Sequence, residues 1–183
     1  MGKILIHKIK LLLLAVGAIL LTLTSCNTSG CTDNRSAIPL AEFYSSSSGQ
    51  VIALDSLQIH GIGAPGDSML VTPGDKISRV YLPMHATANT TSWCISYKWK
   101  NLDFPELNDT ISLDYQAEPW FASDDCGVMY RYNVDRCSYT DHLIDSVSIA
   151  TPLITNLDQV AINIYFRVDA EASQSTSGKI IKL

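Results

Sequence analysis

Positive charge is what this chain runs short of once its first 25 residues are passed. Three of its 13 Lys and Arg (Lys3, Lys8 and Lys10) sit in that opening segment, so the remainder carries 10 against 18 Asp and Glu, a net charge of about −8. Nucleic acids and anionic lipid surfaces are bound through a basic face, and so few cations do not supply one. The acidity serves solubility instead.

Metal and redox spacings are missing as well. There is no C-x-x-C, so neither a thioredoxin-type redox site nor a zinc knuckle is signalled. Past the opening segment the only histidines are His60, His85 and His142, and none falls in an H-x-H or H-E-x-x-H arrangement. The D-x-D-x-D-G calcium loop is absent too. No metal and no cofactor are therefore expected. Helical periodicity is equally hard to find, which leaves strands as the material of the fold.

The one long apolar run, Leu11 to Leu21, follows the basic residues and ends at Leu23-Thr24-Ser25-Cys26. Charge, apolar stretch and small residues in that order form a secretory signal. A cysteine closing it reads as a lipobox, with Cys26 as the first mature residue and the site of lipidation. Several acyl chains anchor a protein far more firmly than one. The expectation is residues 1–25 as signal peptide, 26–30 as lipidated tether, 31–170 as one domain and 171–183 as a polar tail. Its location is then the bacterial cell envelope, at the outer membrane facing the periplasm, with the membrane a partner through the N-terminal lipid. Five residue steps from Cys26 to Cys31 reach roughly 17 Å at most, a short tether.

Period-two alternation dominates the rest. Trp93, Ile95, Tyr97 and Trp99 alternate with mostly polar residues. So do Ile111, Leu113, Tyr115 and Ala117, up to Pro119, which is expected to end that strand by removing a ladder donor. A third run starts at Cys126, with Val128, Tyr130, Tyr132 and Val134 on one face, and a fourth joins Val160, Ile162, Ile164, Phe166 and Val168. Shorter candidates lie at 51–62, 68–72, 79–83 and 145–150. Turn chemistry at Ala64-Pro65-Gly66-Asp67, Thr72-Pro73-Gly74-Asp75 and Thr151-Pro152 separates them. Seven or eight strands so spaced predict an all-β fold, an antiparallel β-sandwich of Ig-like type.

Besides Cys26 there are four cysteines, Cys31, Cys94, Cys126 and Cys137, an even number suited to disulfides in an oxidising compartment and open to three pairings. Strand parity favours one of them. Cys94 is out of phase with Trp93 and Ile95, and Cys137, if no bulge intervenes, is out of phase with Val128 and Tyr130. These two can meet across a sheet face and leave Cys31 to pair with Cys126.

The segments Cys31-Thr32-Asp33-Asn34-Arg35, Gly61 to Ser68, Phe121 to Gly127 and His142-Leu143-Ile144-Asp145 together resemble an uncharacterised lipoprotein family of anaerobic Gram-negative gut bacteria, known only as a domain of unknown function. The resemblance covers the whole mature chain and implies a class without a mechanism. It carries over no catalytic residue.

For function, the residues favour a non-enzymatic binding or assembly module whose partner is an envelope protein or a glycan. Trp93, Tyr97 and Trp99 share the apolar parity of their strand and read as core. Trp120 and Phe121, in a loop after Pro119, are the expected contact, with Asp124 and Asp125 as the first choice for ligands in the alternative of a glycan- or calcium-binding lipoprotein. An envelope hydrolase is the remaining class. Its only cue is Gly66-Asp67-Ser68, but residue 139 is Tyr where an Asp-x-x-His would be needed, and Pro65-Gly66 marks a turn.

Overall fold

The computed structural model describes residues 37–124 and 127–168. The chain divides into two compact units, Met1–Thr32 and Asp33–Leu183, and the described residues belong to the second. They form ten strands: β1 (Leu40–Ser45), β2 (Leu57–Gly61), β3 (Met69–Val71), β4 (Arg79–Tyr81), β5 (Thr90–Tyr97), β6 (Asp109–Ser123), β7 (Gly127–Tyr139), β8 (Ile144–Ile149), β9 (Leu153–Ile154) and β10 (Val160–Phe166). One sheet has the order β4-β1-β10-β8 and the other β3-β2-β5-β6-β7-β9. Together they are a β-sandwich with more strands than the seven or eight expected.

The alternating residues do what their period requires. Trp93, Ile95, Tyr97, Ile111, Leu113, Tyr115 and Tyr132 turn one face of the larger sheet inward, all at most 4 % exposed. They meet Ala41, Phe43, Ile162, Ile164 and Phe166 of the smaller sheet in a single core. Phe43 and Phe166 pack edge to face with centroids 5.4 Å apart, and Tyr115 and Tyr132 do the same at 5.3 Å. Each fully buried large side chain contributes about 1.5 to 3 kcal/mol by leaving water.

Two strands escape the alternation. In β1 every residue but Tyr44 is buried, because it is a central strand, pairing with β4 on one side and with β10 in parallel on the other. Its one acidic residue, Glu42, is paired with Arg79 at 2.7 Å and accepts from the Tyr44 hydroxyl at 2.6 Å. That contact, before burial and the Glu42 charge, pushes the Tyr44 phenol up to about 12. The second, β9, is only two residues long and gives a pattern no room.

Pro119 does not end β6, which runs on to Ser123. Tyr115 donates its amide sideways to Asn89 O, away from β7, and Pro119 shares that parity in an unbroken register. The missing donor therefore falls on an edge where β5 has already left, the position at which a strand tolerates proline.

Candidate functional site

Strands β6 and β7 are far longer than their neighbours, at 15 and 13 residues. On the β6 side, β5 pairs only with Asp109 to Asp114. On the β7 side, β9 pairs only with Tyr132 and Asn133. Among the described residues, Gln116 to Ser123 and Gly127 to Arg131 thus have no strand partner except each other. They form a two-stranded arm with both backbone edges open, closed at its tip by Gly127 at φ +67°, a conformation that favours glycine.

The two faces of this arm differ. The outer face is closed on itself: Glu118 and Arg131 form an ion pair at 2.9 Å, and Met129, opposite Trp120, is 7 % exposed. The inner face continues the face that is core lower down. Above Tyr115 and Tyr132 it carries Pro119 opposite Tyr130 and Phe121 opposite Val128. The covering sheet has ended there, and Phe121 is 58 %, Val128 70 % and Tyr130 41 % exposed. A contiguous apolar surface on a projecting ribbon, with unpaired amides and carbonyls along its sides, is suited to receiving an extended segment as a further strand.

Trp120 and Phe121 were expected in a loop and instead stand in β6, on opposite faces. Of the two, Phe121 is exposed and Trp120 is half-buried. Asp124 is exposed in the turn at the tip, and Asp125 lies outside the described residues. Cys26, Cys31 and Cys126 lie outside them as well.

The expected Cys94–Cys137 disulfide is corrected by the structure, in which both are free thiols. The register shows why. Cys94 faces Thr110 on the outer side of the larger sheet, whereas Cys137 faces Leu113 on the inner side, with β6 between them. The parity fails because of a bulge. Asp114 opposes Arg136 but Tyr115 opposes Val134, so Asp135 is an extra residue that turns Cys137 inward. Burial there pushes the Cys137 thiol up to about 11.

At the other end of β6 the structure reveals a residue that the sequence did not single out. Asp109 is fully buried, and its carboxylate accepts five hydrogen bonds: from Tyr97 Oη (2.6 Å), Thr140 Oγ1 (2.8 Å) and the amides of His142, Leu143 and Ile144 (2.9, 2.8 and 2.9 Å). His142 Nδ1 lies 3.3 Å from the same carboxylate but has no hydrogen-bond partner. Burial, then the Asp109 charge and the hydrogen bond to it, raises the Tyr97 phenol well above its ordinary value. Every acceptor position is filled from within the fold, which marks Asp109 as a structural tie between β5, β6 and the turn into β8. In sequence it looks like one half of an Asn-Asp turn.

Ser68 follows a 3-10 turn and donates to Pro65 O at 2.9 Å. His142 is at the Asp109 tie. Among the described residues, no three His, Cys, Asp or Glu side chains gather as a metal site. Residues 56–166 match a family of unknown function, DUF6452. No curated protein and no solved structure matches the chain.

Proposed function

The chain belongs to the family of unknown function DUF6452, and we propose that it is a non-enzymatic envelope lipoprotein, anchored through Cys26, that holds an extended segment of another envelope protein against the arm of β6 and β7. The observation that carries this reading is the run of core-type residues, Phe121, Val128 and Tyr130, left uncovered on a ribbon with open edges. A soluble domain gains nothing by exposing such a surface unless something covers it.

The topology supports a partner at the same membrane. Leu82 N donates to Pro39 O just before β1, and three residues further on His85 N donates to the Tyr115 hydroxyl at the root of the arm. The chain therefore enters the sandwich at the end from which the arm projects. From Cys26 to Ala37 an extended chain reaches roughly 40 Å at most. An anchor at Cys26 would keep Ala37 within that distance of the bilayer, so that a partner's extended segment at the same membrane meets the domain at high effective concentration.

A photo-crosslinking residue at position 121 or 128, in cells, tests the reading, with position 157 as control because Leu157 is 62 % exposed away from the arm. A protein crosslinked from 121 and 128 but not from 157 is expected. Identical products from all three, or glycan in place of protein, would remove the proposed partner. Fatty-acid labelling that persists in Cys26→Ala would remove the anchor.

A further inference from the structure

On the outer face of the larger sheet, three residues with soft donor atoms stand in one row across three strands. His60 of β2 is the register partner of Cys94 in β5 on one side and of Met69 in β3 on the other. A bulge at Leu70 makes the row: Ile59 opposes Val71 and His60 opposes Met69, so Leu70 is skipped and the Met69 thioether joins the outer face. The alternation that puts Trp93 and Ile95 in the core puts Cys94 on this same outer face.

The His60–Cys94 pair has a spacing that metals can bridge. Ile62 N donates to Ser92 O and Lys98 N to Ser56 O, which makes the alternate pairs of this ladder, His60–Cys94 among them, the hydrogen-bonded kind. Their Cα atoms are then about 5.5 Å apart, and side chains leaving the same face at that distance can place sulfur and nitrogen roughly 4 Å apart, on opposite sides of one ion. Both groups are available. Cys94 is a free thiol whose recorded contact is Ser96 Oγ at 3.8 Å. His60 Nδ1 is shielded from water and has no hydrogen-bond partner, a costly state for a ring nitrogen unless something else occupies it.

We infer that His60, Cys94 and Met69 form a binding site for a soft monovalent metal ion, copper(I) in chemical class. Thiolate, imidazole and thioether are the donors such an ion prefers, at coordination numbers of two or three, whereas zinc would need a fourth ligand. Charge selects in the same direction. Binding exchanges the thiol proton for the ion: Cys94–SH and Cu+ give Cys94–S–Cu, with H+ released to solvent and no change of oxidation state. The product is neutral, and the flanking residues of this face, Gln58, Ser92, Ser96 and Thr110, are neutral as well. A divalent ion would leave an excess positive charge among them. Cys94 and His60 are the principal ligands, and Met69, 44 % exposed and flexible, closes over the ion from the far side of the ring.

The test is titration of the purified full-length protein with copper(I) against a colorimetric copper(I) chelator, without oxygen. One ion per chain is expected, with affinity lowered at least about a hundredfold in Cys94→Ser, about tenfold in His60→Asn and severalfold in Met69→Leu. Cys137→Ser should bind as the wild type does. Undiminished binding in Cys94→Ser, or equal loss in Cys137→Ser, would overturn the site. X-ray absorption on the copper-loaded wild type decides independently of any variant's folding. Nitrogen and sulfur neighbours together support the assignment, and sulfur alone refutes it.

Discussion

Asp109 and Phe121 stand on the same strand, in the same alternation, at opposite ends of the environment a protein can offer. At Asp109 the carboxylate is answered in full: without surface exposure it meets five donors, and Ile111, Leu113 and Tyr115 beyond it are packed in the core. At Phe121 the same inward parity points at water. Alternation states which residues share a face. Whether that face is covered depends on how far the opposite sheet extends, and the smaller sheet stops short of the arm. The closed half of β6 and β7 is therefore fold, and the open half is surface available for use.

The comparison can be broken most decisively at its closed end. Asp109→Ala leaves the Tyr97 hydroxyl and the amides of Leu143 and Ile144 buried without an acceptor, each costing about 1 to 3 kcal/mol. A loss of about 4 kcal/mol or more is expected in urea unfolding, enough to unfold a marginal domain. A loss under about 1 kcal/mol would mean that this end is not the tie described.

Cys137, also in the closed half, offers a chemical test of the same packing. A thiol raised from 9.0 to about 11 holds roughly a hundredfold less thiolate at neutral pH. Alkylation followed by mass spectrometry should find Cys137 slower by about that factor in the native protein than in urea. Equal rates would show that the bulge at Asp135 does not turn it inward.

A smaller effect is expected for Tyr97→Phe, about 1 to 2 kcal/mol, because one hydrogen bond to a carboxylate is lost while the ring stays. Its pH dependence has a definite sign. The folded protein holds the phenol proton well above the ordinary value of 10.0, whereas the unfolded chain releases it there. This contribution is complete below pH 10 and falls as the pH rises further. The stability gap between wild type and Tyr97→Phe should narrow above pH 10 in denaturant melts; a constant gap would contradict the buried phenol.

Least of all should happen to stability at the open end. Phe121→Ser with Val128→Ser is expected to change unfolding by less than about 0.5 kcal/mol, as exposed substitutions do, while abolishing a crosslink to the partner from position 130 on the same face. A large destabilisation would show that the arm's inner face is part of the core, and the contrast between the two halves would fail.

The sequence carried the alternating strands well. Trp93, Tyr97, Ile111, Leu113 and Ile164 are core as their period requires. β1 was not visible, since Leu40, Ala41, Phe43 and Ser45 are buried without alternation in the middle of a sheet. The Cys94–Cys137 pairing failed on one inserted residue, because bulges follow from how two strands fit and not from the composition of either. The arm was half legible: Phe121 could be named as exposed, but Pro119 looked like a stop, since nothing local tells on which side of a strand the neighbour has ended. Asp109 showed only as half of an Asn-Asp turn, its donors coming from β5 and from residues far along the chain, Thr140 and the amides of His142, Leu143 and Ile144.

The parallel pairing of β1 with β10 sets a condition on how this protein can come into being. The first strand described finds its central partner only in the last one, so the smaller sheet cannot assemble on a chain that is still being delivered. Until Val160 to Phe166 arrive, β1 has only the three residues of β4 to pair with. Contacts of such sequence separation form late and slowly. The domain is in effect a knotless loop fastened by its last stitch: the smaller sheet closes only when β10 is in place, and any truncation that removes β10 takes the central partner of both β1 and β8.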